Sequence, residues 1–524
     1  MFTNEPPLDF SIPRSRTDFQ AALDALDQEI LGKALWCAPI IAGRALRRGE
    51  VLPRRDPSDS SITLGGVHAA GAGEVQEALG VLQAGAKLWA AAPFETRADT
   101  VQRAGDLLAP RRLAFAALMV REAGKPWQEA DLDVVEAIDY ARYYAEEMRR
   151  LGPPRLTAAV LGETNHYLYQ PRGIAAVISP WNFPLAITAG MSLAALVAGN
   201  AVALKPSGNT SLLAHRFAEL LLEAGIPAEA FALLPGPGSV LGRALVESPF
   251  VDLIAFTGSK GVGLEILEKA ARVQPQQRSI KRVIAELGGK NALIIDDDAD
   301  IDEAGKAALY SAFGYAGQKC SACSRIIGVG AAYEEFLERF CSAAGDLIVG
   351  EARDPATFIG PLIDEASRER VSQLIHEGGK EQRLAFMGGA PDHGCYVPAA
   401  VFRDVDTSSP LWRREIFGPV VCCRKARSFA EALALADDCE YALTGGVFSR
   451  NPAHIAEARS RFTVGNLYIN RGMTGAVVCR QPFGGFRMSG VGSKSGGPDY
   501  LLQFMEPRTI TENTTRRGAA PELM

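Results

Sequence analysis

Gly173-Ile174-Ala175-Ala176-Val177-Ile178-Ser179, Ala201-Val202-Ala203-Leu204-Lys205, Leu253-Ile254-Ala255-Phe256-Thr257 and Arg282-Val283-Ile284-Ala285-Glu286 are short runs rich in apolar and β-branched residues. With Phe231-Ala232-Leu233-Leu234 they make five strand candidates. Such nearly continuous apolar runs suit strands covered on both faces. Helical patterns fill the gaps at about 186–198, 211–224, 239–247 and 261–271. Strands alternating with helices over 171–286 predict an α/β, doubly wound parallel sheet, whose ligands bind at the strand carboxyl ends. Those ends carry Lys205-Pro206-Ser207, Pro235-Gly236-Pro237-Gly238 and Phe256-Thr257-Gly258-Ser259-Lys260-Gly261-Val262-Gly263. No Gly-x-Gly-x-x-Gly fingerprint is present, and ordinary turns explain these glycines equally well.

Downstream a second α/β pattern runs from Lys290 to about Arg480. Its expected strands are 292–295, 324–329, 396–399, 420–424 and 467–470, and its expected helices 331–344, 365–377 and 429–436. Upstream, Phe19, Leu23, Leu26 and Ile30 mark a helix over 19–32. A turn-rich connector is expected at 53–57, long helices at 73–91 and 97–123, and a third helix at about 128–151. One face of that third helix carries Val134, Ile138, Ala141, Ala145 and Met148, and a second carries Glu136, Tyr140, Tyr143 and Glu147. By itself Glu136 reads as a solvated helix charge. Residues 156–169 alternate like a β-hairpin turning near Gly162-Glu163. Residues 504–512 suit a closing edge strand, and 516–524 a loose tail.

A chain of 524 residues holds several lobes. Its net charge of −6 offers no basic footprint for nucleic acid. The longest apolar run, 185–199, falls short of the ~18 residues of a spanning helix, so no membrane is expected. The first residues show no secretory signal. Nine scattered cysteines suit reduced thiols and a cytoplasmic location.

Chemistry concentrates at Gly317-Gln318-Lys319-Cys320-Ser321-Ala322-Cys323-Ser324-Arg325. A cysteine in a glycine-bearing loop beside Lys319 sits where a thiolate, the nucleophilic form, is favoured. A buried structural thiol is the alternative. Cys320 and Cys323 form a Cys-x-x-Cys, but no second ligand pair accompanies it and no metal is expected. Upstream, Glu286 ends an apolar run before Gly288-Gly289, where a carboxylate can take a proton. Ile178-Ser179-Pro180-Trp181-Asn182-Phe183-Pro184 offers an amide at Asn182 that could stabilise an oxyanion. Cysteine, carboxylate and amide together describe acyl chemistry through a thioester.

These three motifs, in this order and spacing, resemble the aldehyde dehydrogenase superfamily, and the match covers nearly the whole chain. The resemblance implies an aldehyde dehydrogenase-like fold. A Rossmann-like cofactor domain would span 1–154 and 171–287, and an α/β catalytic domain 288–485. A small β oligomerisation element would span 155–170 and 503–514, in a homodimer or higher homo-oligomer. It implies Cys320 as nucleophile, Glu286 as base and Asn182 as oxyanion donor. It implies an NAD site built by Ile178, Ser179, Pro180, Trp181, Lys205, Ser207, Gly238, Thr257, Gly258, Ser259, Gly263 and Leu287. In it Lys205 would hold the adenosine ribose and Ser259 meet the pyrophosphate near a helix N-terminus. Glu415 and Phe417, in Arg414-Glu415-Ile416-Phe417-Gly418-Pro419, would serve the nicotinamide ribose and ring. Many NAD-preferring relatives carry glutamate three residues after the lysine. Gly208 stands there in this chain, so NADP is also possible.

Within the superfamily, Gly317–Arg325, Thr474-Gly475-Ala476, Gly496-Gly497-Pro498 and Asn4-Glu5-Pro6 look like the 1-pyrroline-5-carboxylate dehydrogenase branch. That branch oxidises L-glutamate γ-semialdehyde to glutamate in proline degradation. The resemblance places the substrate α-carboxylate at the Ser321 hydroxyl and the amides of Gly475 and Ala476. It places the α-ammonium at Glu136 and the methylenes between Phe183 and Phe483. The branch has serine where Ala476 stands, so a hydroxyl contact would be lost and a backbone contact kept. A dehydrogenase for another small aldehyde, such as succinate semialdehyde, and a non-catalytic family member are the competing readings. Glu136 weighs against the first, and intact Cys320, Glu286 and Asn182 against the second.

Overall fold

The computed structural model describes residues 2–515 and has two sheet-centred lobes, each with its own apolar core. The first lobe holds an eight-stranded sheet. Its parallel centre is Arg282–Glu286, Leu253–Thr257, Ile174–Ile178, Ala201–Lys205 and Phe231–Leu233, in that spatial order. The expected strands are therefore present, with bounds shifted by a residue or two. Strand order reverses between Ile174–Ile178 and Leu253–Thr257, which opens a crevice at their carboxyl ends. Two distant pieces extend the sheet antiparallel: the hairpin of Ile40–Ile41 and Arg44–Ala45 at one side and Gly490–Val491 at the other. The second addition lays the C-terminal loop beside Glu286.

The second lobe holds a seven-stranded sheet with Asn291–Ile295 and Cys323–Val329 at its middle. Arg383–Met387 alone runs antiparallel, at one edge. A third sheet pairs Glu163–Pro171 with Arg155–Leu156 and with Met505–Asn513. The expected hairpin and closing strand thus lie side by side. The expected loose tail, 516–524, lies outside the described residues.

Several expectations need correction. The 53–57 connector is instead the strand Val51–Arg55. It lies at the edge of a three-stranded sheet, where Pro53 costs no ladder bond to a further strand. The single helix at 97–123 is two, Phe94–Leu108 and Arg112–Ala123, broken at Pro110. Proline lacks the donor a helix interior needs. Gly124 ends the second of them, at φ 63°. The strand expected at 396–399 forms at Ala400–Arg403. Pro398 cannot donate within an interior strand, so pairing starts after it. The helix Ile301–Phe313 and the strand Thr444–Phe448 escaped sequence reading. Asp300, which accepts from the Glu303 amide, was a legible cap for the helix. In the strand, Gly445 and Gly446 mask the apolar pattern, yet a Cβ at either would lie 2.5 Å from Phe462 or Leu293.

The helix Trp127–Leu151 has both faces largely covered. Tyr140, Tyr143 and Glu147 are buried and Glu136 is half-buried, so the solvated-charge reading of Glu136 fails.

Candidate active site

The Cys320 loop begins with an unusual backbone. Tyr315, Ala316 and Gly317 follow one another at φ 52°, 53° and 67°. Left-handed conformations cost non-glycine residues energy, so surrounding contacts must hold them. Tyr315 Oη donates to Ala123 O at 2.9 Å. The Gln318 side chain donates to Pro361 O at 3.2 Å and accepts from Ile363 N at 3.0 Å. Gly317 passes so close to Gly418 that a Cβ would lie 2.4 Å from its carbonyl oxygen. Asn291 Nδ2 then holds Cys320 O at 2.7 Å and Ala322 O at 2.9 Å.

The Cys320 thiol is half-buried, and its pKa is pushed up to about 12. Burial is the main cause, followed by the charges of Glu415, Glu286 and Glu136. Lys319 does not offset them as expected. Its ammonium turns away to a buried ion pair with Glu129 at 2.6 Å and lies over the Tyr310 ring. The residue adjacent in sequence points to the other side of the loop. Cys323 is buried against Arg325 O at 3.5 Å, which is a packing role.

Asn182 is buried, and its side-chain amide donates to Gln318 O at 3.0 Å. An amide nitrogen has two protons, so a second remains for another acceptor. Its backbone is fixed by residues that sequence reading missed. Lys125 Nζ donates to Asn182 O at 2.9 Å and pairs with Asp133 at 2.8 Å, with both side chains fully buried. Asp133 also accepts from Ala186 N at 2.6 Å, at the start of the next helix. The same ammonium lies 3.9 Å above the Phe183 ring. A lone lysine between Gly124 and Pro126 gave no signal of this in the sequence.

Glu286 ends its strand half-buried, and its carboxylate accepts from Gly485 N at 3.3 Å. Burial raises its pKa to about 8 against weaker pulls from Gly485 and Lys494. Glu415 accepts from Gly289 N at 3.0 Å, and Phe417 meets Trp181 edge-on with centroids 5.5 Å apart. Glu136 accepts from Tyr140 Oη at 3.0 Å, and burial followed by the charge of Asp133 raises it to about 8. Ser321 is buried, while Gly475, at φ 72°, leaves open space around its Cα. Ala476 follows Gly475 in the same loop and is half-buried. Phe483 is anchored by two backbone bonds to Ser495.

The crevice at the strand ends is a cavity of about 930 Å³. Ile178, Ser179, Pro180, Trp181, Lys205, Ser207, Gly238, Thr257, Gly258 and Ser259 all line it. Gly263 and Leu287 lie behind them, packed so that a Cβ on the glycine would meet Leu287 at 2.3 Å. Glu415 and Phe417 line a separate small hollow with Gly289, Lys319 and Cys323, and Phe417 reaches Trp181 from there. The cavity fits a dinucleotide on its own evidence. The helices Gly238–Val246 and Lys260–Ala270 both begin at its wall without a side-chain cap or an acidic residue in the first turn. Free amides and the positive helix ends suit a pyrophosphate. Lys205 Nζ is buried there, bonded to Pro206 O, and burial lowers its pKa to about 8.

A profile described as the aldehyde dehydrogenase family matches residues 46–510. The chain belongs to the aldehyde dehydrogenase family. A 1-pyrroline-5-carboxylate dehydrogenase of Geobacillus sp. (strain WCH70) is 44% identical over 512 residues, 98% of this chain and 99% of that protein. Among solved structures, a Thermus 1-pyrroline-5-carboxylate dehydrogenase with bound NAD superposes with TM-score 0.95 at 38% identity. That match covers 98% of this chain and 99% of the Thermus one. Proline utilization A from Bdellovibrio bacteriovorus matches at TM-score 0.97 and 45% identity, over 99% of this aldehyde dehydrogenase but 54% of that longer chain. No helix among the described residues is long and apolar enough to cross a membrane.

Proposed function

We propose that this enzyme oxidises L-glutamate γ-semialdehyde, the open form of 1-pyrroline-5-carboxylate, to L-glutamate with NAD, in proline degradation. The observation that carries the reading is the setting of Cys320. Its thiol lies within electrostatic reach of Glu286, Glu415 and Glu136. Those are the carboxylates assigned to water activation, cofactor ribose and substrate ammonium. NAD, when bound, supplies the hydride acceptor. Ile178–Trp181, Lys205, Ser207, Gly238, Thr257–Ser259, Gly263 and Leu287 would hold its adenosine and pyrophosphate half, and Glu415 and Phe417 its nicotinamide end. No carboxylate stands at Gly208 to repel a 2′-phosphate, so NADP is an allowed second cofactor.

In the mechanism, Cys320 releases its thiol proton to solvent and the thiolate Sγ adds to the aldehyde carbon. The free amide proton of Asn182 and the Cys320 backbone N–H would donate to the oxygen that gains charge. Oxidation leaves an acyl thioester on Cys320. Glu286 takes a proton from water, which attacks the thioester, releases glutamate and restores the thiol. Ser321 and the amides of Gly475 and Ala476 hold the α-carboxylate, Glu136 the ammonium, and Phe183 and Phe483 the methylenes. A site for a zwitterion needs these partners because removing either charge from water alone is costly.

The work divides between the sheets: 1–154 with 171–287 for the cofactor, 288–485 for catalysis, and 155–170 with 503–514 for assembly into a homo-oligomer. Nine cysteines, all free, suit a reducing cytoplasm. Two variants test the chemistry. Cys320→Ala should abolish oxidation and keep NAD binding. Glu286→Gln should give a burst of reduced cofactor followed by a slow phase. Activity in the first variant would overturn the nucleophile, and equal slowing of both phases would overturn the base.

A further inference from the structure

Glu136 is joined to the C-terminal loop by a chain of hydroxyls to which the mechanism above assigns no role. Gly496 N donates to Tyr144 Oη at 3.0 Å. Tyr144 Oη lies 3.4 Å from Ser495 Oγ. Ser495 Oγ donates to Tyr140 Oη at 3.0 Å, and Tyr140 Oη donates to Glu136 Oε1 at 3.0 Å. Each hydroxyl has one proton to give. Ser495 spends its proton on Tyr140, so in its contact with Tyr144 it is the acceptor. Every proton in the chain therefore points toward Glu136, and such aligned bonds reinforce one another. The rings cannot swing freely: Tyr140 and Tyr144 are buried and stacked at 5.3 Å, and Gly190 lies so close that a Cβ there would sit 3.1 Å from the Tyr140 ring. Ser495 is also bonded through both backbone groups to Phe483, at 2.9 and 2.7 Å. One residue thus ties the aliphatic wall to the carboxylate.

We propose that Tyr140 and Ser495 are positioning residues that set the selectivity for an α-amino aldehyde by aiming the Glu136 carboxylate. The proposal rests on the semialdehyde reading and deepens it. Other charges facing Glu136 are Asp133 and Asp139 on its own helix and Lys125 from the turn before it, with the Cys320 thiol opposite. Asp133 is paired with Lys125, and Asp139 accepts from Asn4 and Glu5 N.

The test compares L-glutamate γ-semialdehyde with 5-oxopentanoate, which has the same length and carboxylate but no amine. The selectivity ratio of kcat/KM is measured from about pH 6.5 to about 9, a range spanning the titration of a raised carboxyl. Tyr140→Phe should lower the ratio about tenfold, mainly through KM, as expected for losing a hydrogen bond to a charged group. Ser495→Ala should lower it less and in the same sense. In Tyr140→Phe the rise of selectivity with pH should move to higher pH than in the wild type, because the carboxylate loses a donor. On a Glu136→Gln background, Tyr140→Phe should add nothing to the ratio. If Glu136→Gln lowers the ratio while Tyr140→Phe and Ser495→Ala leave it alone, the relay is overturned and the substrate reading stands. Equal losses on both substrates likewise overturn the relay. A wild-type enzyme without preference for the amino substrate overturns the substrate reading itself. Should Tyr140→Phe fold poorly, Ser495→Ala decides alone.

Discussion

The Glu286 carboxyl, raised to about 8 mainly by burial, holds a proton at neutral pH in the folded enzyme. An unfolded chain would release that proton near the ordinary value of 4.5. Between those two values the folded state binds more protons, so the stability this group contributes falls as pH rises through the window. Glu286→Gln should therefore raise Tm, with a gain that grows from about pH 5 to about pH 8 and then levels. Thermal melts at several pH values check this. The proposed thioester hydrolysis needs the ionised form, so the wild-type turnover is expected to climb as pH passes upward through about 8. Glu286→Gln should flatten that climb. Sequence alone named Glu286, Asn182 and Cys320 because each stands in a local motif. It mistook the role of Lys319, because adjacency in a chain does not fix which side of a loop a side chain takes. The ion pair with Glu129 decides that, and it joins residues 190 positions apart.

Among the elements, the loop before Cys320 is the most constrained. Three left-handed residues in succession are held by Tyr315, Gln318 and the close pass of Gly317 to Gly418. Gly317→Ala keeps φ at 67° only with strain, and its methyl would collide with the Gly418 carbonyl. It should destabilise the protein by about 1–3 kcal/mol and cut kcat more than tenfold, because the thiol shifts. Urea melts and steady-state rates measure the two effects. The helix Trp127–Leu151 was plain from its periodicity, but the value of its second face was not. Glu136, Tyr140 and Tyr144 lie on one side at helical spacing, and only packing against the C-terminal loop joins them to Ser495 and Gly496.

Across the whole molecule, the sheet of Arg155–Leu156, Glu163–Pro171 and Met505–Asn513, with the turn that leads into Glu163, exposes Leu156, Val160, Leu161 and Ile510. Leu161 is 93% exposed and Leu156 70%, an apolar edge that a lone subunit would leave in water. We expect at least a dimer through this sheet. Light scattering should give more than one chain's mass, and Leu161→Asp with Ile510→Asp should yield smaller species. A monodisperse, fully active wild-type monomer would contradict the assignment.

Local rules in the sequence determined the alternating strands and helices and the glycine-rich strand ends, and they pointed to Cys320, Glu286 and Asn182. Apolar runs choose their secondary structure within a few residues, and a parallel sheet then dictates where ligands bind. Tertiary structure decided what no local rule reaches. It turned Lys319 toward Glu129 and buried the Lys125–Asp133 pair beneath Asn182. It laid Gly490–Val491 against the Glu286 strand and Ser495 against Tyr140. Each of these is a contact between residues distant in the chain. Its energy comes from desolvation and geometry that exist only once both lobes are folded.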